Sequence, residues 1–140
     1  MKKLGLLMML LLASMAGNAQ ERKYSTFYYQ RATLFEELPV TSSDIIFLGN
    51  SITNGAEWAE LFKNKHVKNR GISGDTSDRL LERLECNALN INPKNLVILI
   101  GTNDIGIGVP TEYTLKNIKE ILQRTQTLCS NTAVKSSIRA

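Results

Sequence analysis

The sequence predicts an α/β fold built on a parallel sheet. Two apolar runs of strand length, Asp44-Ile45-Ile46-Phe47-Leu48 and Leu96-Val97-Ile98-Leu99-Ile100, end in small polar residues, Gly49-Asn50-Ser51 and Gly101-Thr102-Asn103. Each run is followed by a segment with helical spacing of its apolar residues. Strands that alternate with helices imply parallel pairing, right-handed crossovers and helices on both faces of the sheet.

The N-terminus is set apart from this fold. Lys2 and Lys3, the apolar run Leu6 to Leu12 and the small residues Ala16-Gly17-Asn18-Ala19 have the form of a secretory signal peptide cleaved after Ala19. The run is shorter than the roughly 20 apolar residues a membrane span needs, so no stable membrane anchor is expected. Residues 20–140 then form one domain, placed in a secreted or periplasmic setting. The formal net charge is +4, part of it on Lys2 and Lys3, so basicity gives no argument for nucleic acid as a partner. Nothing in the sequence fixes the oligomeric state.

The remaining elements follow in order. Gln20 to Thr41 is a lead-in with a short helical piece over Arg31 to Glu37, stopped by Pro39. The first strand covers Asp44 to Leu48. A helix is expected over Ala56 to Lys63, burying Trp58, Leu61 and Phe62. A short second strand lies near His66 to Asn69. Thr76 or Ser77 can cap the next helix, whose inward stripe is Leu80, Leu81 and Leu84. Pro93 precedes the third strand, Leu96 to Ile100, apolar throughout as a strand covered on both faces should be. Thr111 caps a long helix with Leu115, Ile118, Ile121, Leu122 and Leu128 on one face. Cys86 and Cys129 fall on apolar positions of helix-like segments. They are read as two separate buried thiols rather than a disulfide, although export would permit one.

In a parallel sheet, ligands and chemistry sit at the carboxyl ends of the strands. Ser51, Gly74 and Asn103 all lie just past such ends. Acyl transfer needs a nucleophile, a base and donors for the oxyanion of the tetrahedral intermediate. Ser51 can supply a hydroxyl and its own N–H near the start of a helix. Gly74 can bring a backbone N–H close to a substrate oxygen with no Cβ in the way. Asn103 carries a side-chain amide. Taken singly, Ser51 fits an N-cap, Gly74 a turn and Asn103 an Asx-turn. Their joint placement at successive strand ends favours catalysis. Nucleotide binding is disfavoured, because Gly71-Ile72-Ser73-Gly74 fits neither the dinucleotide fingerprint nor the phosphate-loop spacing with its Lys.

Gly49-Asn50-Ser51, Ile72-Ser73-Gly74-Asp75-Thr76 and Gly101-Thr102-Asn103-Asp104 resemble the first three motif blocks of the SGNH hydrolases, also called GDSL esterases and lipases. The platelet-activating-factor acetylhydrolase-like group is the most similar flavour, and the resemblance covers Asp44 to Asp104. It implies Ser51 as nucleophile, and oxyanion donors from the Ser51 N–H, the Gly74 N–H and the Asn103 side chain. It also implies a flavodoxin-like three-layer α/β/α fold, a small-molecule or glycan ester as substrate, and no metal or other cofactor.

Two departures stand out. The family has Asp before the nucleophilic serine where this chain has Asn50, which keeps a hydrogen-bonding side chain of the same shape. The family's last block carries an Asp and, three residues on, the His that acts as base. This chain has one histidine, His66, preceded three residues earlier by Lys63. A strand of four or five residues would hold His66 roughly 15 Å from the catalytic rim, whereas a base must come within about 3 Å of the hydroxyl or reach it through one water. Beyond Leu128 only Ala133-Val134 resembles the start of a fourth strand. The expectation is an ester hydrolase of acetyl or short acyl groups on carbohydrate or lipid, C-terminally incomplete and weakly active or inactive. The alternative is a non-catalytic remnant or a ligand-binding α/β domain.

Overall fold

The computed structural model describes residues 23–128 apart from residue 91. The signal-peptide segment, Cys129 and Ala133-Val134 lie outside the described residues. The chain forms α1 (Thr26–Glu37), β1 (Ile45–Gly49), α2 (Ser51–Asn54), α3 (Trp58–Leu61), β2 (Val67–Gly71) and α4 (Ser77–Leu84). A π-helical turn (Glu85–Leu89) leads to β3 (Asn95–Leu99), α5 (Thr102–Gly106) and α6 (Thr111–Leu128). The sheet order is β2-β1-β3, with both pairings parallel. The expected α/β organisation is therefore present, with strand limits displaced by about one residue.

Register divides the sheet into two faces. Ile45 aligns with Val67 and Asn95, and Gly49 with Gly71 and Leu99. Alternation along each strand then puts Ile46, Leu48, Leu96 and Ile98 on one face. All four are buried, beneath Leu80 and Leu84 of α4, Ala88 and Leu89 of the π turn, and Ile121 of α6. A smaller cluster of Tyr28, Phe35 and Ile72 fixes α1 beside this core.

The other face differs from expectation. β3 alternates between half-buried and buried residues, with Val97 and Leu99 only half-buried, so it is not covered equally on both sides. α3 is a single turn where a helix over Ala56 to Lys63 was expected, ended by Lys63 at φ +48°. The turn α2 before it is short because its carbonyls are taken elsewhere. Asn69 Nδ2 donates to Thr53 O (2.9 Å), Asn54 O (3.2 Å) and Ala56 O (2.9 Å), and Trp58 Nε1 donates to Thr53 O (2.7 Å). These acceptors are taken by side chains instead of by a continuing helix. Trp58 stacks on Phe47 with ring centroids 4.7 Å apart, but Leu61 and Phe62 are 68% and 54% exposed.

Three further expectations are corrected. α1 begins five residues before Arg31 because Ser25 caps it, its hydroxyl accepting the Tyr28 N–H at 3.2 Å. The inward face of α6 agrees with expectation in part: Ile121 is buried and Ile118 packs on the core, but Thr114, Asn117 and Thr125 are buried too, whereas Leu115 is exposed; the side chain of Leu128 lies outside the described residues. Asn117 turns inward because it donates to Ser77 Oγ at 3.0 Å. Cys86 is exposed on the π turn instead of buried.

Candidate functional site

The three strand ends carry the three singled-out residues to one edge of the sheet. Strands in a sheet lie about 4.8 Å apart, so loops leaving Gly71, Gly49 and Leu99 in register start as lateral neighbours. Ser51 opens α2, Gly74 lies in the β2–α4 loop and Asn103 lies in α5. Asn50 is buried, and its Oδ1 accepts the Ile52 N–H at 3.0 Å. That is an N-cap bond, which an amide oxygen makes as well as a carboxylate. Ser51 is exposed, and its N–H, in the first turn, has no intrahelical acceptor. Among the described residues the Ser51 hydroxyl has no hydrogen-bond partner.

The turn that presents Ser51 is pressed onto the sheet. A Cβ on Gly71 would lie 2.2 Å from Asn54 N, and one on Gly49 would lie 2.5 Å from Leu99 O. Only glycine allows that approach. Gly74 is different, since no atom lies within 4 Å of its Cβ position. Its φ of +80° is the reason for glycine there. Its carbonyl accepts Arg79 Nη1 at 3.2 Å, which holds the following peptide, between Gly74 and Asp75, from the side. Asn54 Nδ2 donates to Ser73 Oγ at 3.2 Å and links the Ser51 turn to the Gly74 loop.

Asn103 Nδ2 donates to Asp75 O at 2.8 Å. An Asn amide has two N–H donors, so one fixes the group and one remains for a ligand. Behind it, Asp104 is buried and accepts the Ser77 N–H (3.1 and 3.0 Å) and the Ser77 hydroxyl (2.5 Å). Asp75 is also buried, and Arg83 donates to its Oδ2. Burial pushes the Asp75 carboxyl up to about 6, and Arg83 keeps it from rising further.

His66 lies just before β2, at the opposite edge of the sheet from Ser51. Its Nδ1 is 2.9 Å from Asp44 Oδ1. An Asp–His pair therefore exists in space although no Asp-x-x-His pattern exists in the sequence, and it faces away from the nucleophile's edge. Burial acts to raise the Asp44 pKa. The Thr41 N–H (2.8 Å), His66 and Lys68 more than offset this, so the carboxyl lies below the usual carboxylate range. A carboxylate with a depressed folded pKa contributes stability above its unfolded value, near 3.9, that is lost as pH falls through the folded value. Asp44→Asn should therefore flatten the acid limb of stability below about pH 4. Urea unfolding midpoints across an acid series check this, and parallel acid limbs in parent and variant would contradict it.

The sequence reading missed Asp75–Arg83, Asp104–Ser77–Asn117 and Asn69. Of these only Asp104 and Asp75 lay inside recognisable blocks, and spacing gave no sign that Arg83 faces inward.

Comparison with known proteins agrees with this geometry. The model of the GDSL-like Lipase/Acylhydrolase family matches residues 47–136, more than half of the chain. The human platelet-activating factor acetylhydrolase IB subunit alpha2 is 41% identical over 66 residues, 44% of this chain and 29% of that protein. The bovine alpha1 subunit is 36% identical over 85 residues, 57% of this chain and 36% of that protein. The matched segments thus span about a third of these curated relatives. A solved structure described as a platelet activating factor from Streptococcus pneumonia superposes with TM-score 0.72 at 30% identity, covering 88% of this chain and 59% of that one. A GDSL-like lipase from Bacteroides thetaiotaomicron superposes with TM-score 0.64 at 29% identity, covering 76% and 56%. With the three motif blocks at neighbouring ends of a parallel sheet and a family model over most of the described residues, the chain belongs to the GDSL-like lipase/acylhydrolase family, the SGNH hydrolases.

Proposed function

We propose that the site performs the acyl-transfer chemistry of a serine ester hydrolase. Ser51 Oγ attacks the ester carbonyl carbon. The Ser51 N–H, the Gly74 N–H and the spare N–H of Asn103 Nδ2 receive the oxyanion. The observation that carries this reading is Asn103: a side-chain amide pinned through one N–H to Asp75 O, with the second N–H left over at the rim that bears an exposed serine. Gly74 and Asn103 hold donors in place before substrate arrives, which is what oxyanion stabilisation requires. The substrate class we assign is an acetyl or short acyl ester on carbohydrate or lipid, in line with the acetylhydrolase names of the curated relatives. We place the chain in a secreted or periplasmic setting, with residues 1–19 as its signal peptide.

His66 does not act as base for Ser51, being held by Asp44 at the far edge of the sheet. The 140-residue chain is then an oxyanion pocket with an unactivated nucleophile. Serine proteases that have lost triad members retain roughly 10³- to 10⁴-fold acceleration over water. Hydrolysis of p-nitrophenyl acetate by this chain should stay within that range, and Ser51→Ala should remove only the part that passes through Ser51, the oxyanion donors retaining the rest. Efficient turnover lost in Ser51→Ala would show that another group supplies the base. No loss of rate in either Ser51→Ala or Asn103→Ala would favour the second reading, a non-catalytic or ligand-binding domain, which the unpartnered Ser51 hydroxyl also permits.

A further inference from the structure

A buried ion pair lies behind the loops that carry Ser51 and Gly74. Arg83, on α4, is 4% exposed, and Asp75, the residue after Gly74, is fully buried. Arg83 Nε and Nη2 both donate to Asp75 Oδ2, at 2.9 and 2.7 Å. Arg83 Nη2 also donates to the carbonyl of Gly49, at 3.2 Å, two residues before Ser51. On its main-chain side, Asp75 O accepts Asn103 Nδ2 at 2.8 Å. One guanidinium thus touches the end of β1 directly, the β2–α4 loop through the Asp75 carboxylate and the β3–α5 segment through the Asp75 carbonyl.

Stability alone is a poor reason for such a pair. Desolvating two charges offsets most of their attraction, and an apolar pair of similar volume is often as stabilising or more so. Here Asp75 Oδ1 and Arg83 Nη1 are buried with no partner among the described residues, which weakens the energetic case further. Geometry is a better reason. Guanidinium is a planar fork that can serve a carboxylate and a carbonyl at once, whereas an ammonium is a point charge. Among the described residues, main-chain bonding joins the first two segments at their roots, Ile72 N–H donating to Gly49 O at 2.9 Å, but no such bond is shared by all three. Misplacement by about 1 Å at a reacting centre can cost about 10²-fold in rate.

We propose that Asp75 and Arg83 are positioning residues, a buried link that holds the Ser51, Gly74 and Asn103 segments in one relative geometry. This rests on the reading of those three residues as nucleophile and oxyanion donors, and its test separates the two. The variants are Asp75→Leu/Arg83→Met, which replaces the pair by apolar side chains, and Arg83→Lys, which keeps a charge beside Asp75 on a shorter side chain without the planar fork. Nitrogen-15 NMR of the full chain follows the Gly74 main-chain amide and the Asn103 side-chain amide. Urea unfolding follows the fold, and p-nitrophenyl acetate hydrolysis follows the rate.

The expected result is an unfolding midpoint at or above that of the parent for the double variant, with the Gly74 and Asn103 resonances shifted and broadened in both variants. The Ser51-dependent kcat should drop about 10²-fold with KM within about twofold. Unmoved Gly74 and Asn103 resonances in either folded variant would overturn the proposal. So would loss of folding in both variants, which would make the pair a purely structural element. If the resonances move but neither Ser51→Ala nor Asn103→Ala slows hydrolysis of the ester, the link stands and the catalytic reading falls.

Discussion

Asn103→Ala should lower the Ser51-dependent kcat for p-nitrophenyl acetate by about 10²- to 10³-fold, the range for removing one oxyanion donor. KM should change little, because the donor acts on charge that develops in the transition state and not on the bound ester. The fold should survive. The substitution removes one hydrogen bond, from Nδ2 to Asp75 O, and a typical net contribution of one such bond is about 1 kcal/mol. Asn103→Asp is the sharper variant. It preserves shape and replaces both N–H donors by acceptors, so it should lose as much rate or more. An unchanged kcat in Asn103→Ala would reduce Asn103 to a residue that merely braces the Gly74 loop.

Leu48→Ala should destabilise the chain by about 2 to 5 kcal/mol, a large share of the roughly 5 to 15 kcal/mol by which domains are stable. Leu48 is fully buried in β1, the central strand, in register with Arg70 and Ile98 and within the cluster that includes Leu80, Leu84 and Ile121. Its removal leaves a cavity that strands paired on both sides cannot close. Leu61→Ala is the control. Leu61 is 68% exposed, and its loss should shift stability by no more than about 0.5 kcal/mol. Thermal or urea unfolding of both variants measures the difference. Similar losses would mean that the partition into a covered and an uncovered face is wrong.

Those two leucines also show how far the sequence could be read. Leu48 was legible because it belongs to a short, β-branched and aromatic apolar run between turn residues, a length and composition that favour a buried strand. Leu61 and Phe62 fit a buried helical stripe by spacing, yet α3 stops at Lys63, whose φ is +48°, and side chains of Asn69 and Trp58 take the carbonyls of Thr53 and Ala56 just before it. Such a bond, over many residues of separation, leaves no periodic trace. α6 is legible in part, for a related reason. Ile118 and Ile121 meet the core as their spacing implies, but the inward positions also include Thr114, Asn117 and Thr125, so a search for apolar residues places Leu115 inside when it is exposed.

The site divides along the same line. Ser51, Gly74 and Asn103 were legible because each follows a strand end. Arg83 was not, because a charged residue in a helix is ordinarily solvated. Only the fold shows it buried against Asp75, eight positions earlier, and Gly49. His66 was read as a residue at the entrance to β2, where the structure places it, but its pairing with Asp44 follows from strand register and not from spacing.

The central claim is that Ser51 is a nucleophile facing preorganised oxyanion donors, in a chain whose one histidine stands at the other edge of the sheet. Both acylation and deacylation call on a base, and deacylation must also activate a water molecule. An acyl group once transferred to Ser51 should therefore persist. The most direct measurement is to incubate the 140-residue chain with p-nitrophenyl acetate, quench it, and map acetylated residues by peptide mass spectrometry beside Asn103→Ala. The account predicts an acetyl group on Ser51 that accumulates with time and forms far more slowly in Asn103→Ala. Acetylation confined to lysines, with Ser51 unmodified in both chains, would contradict it.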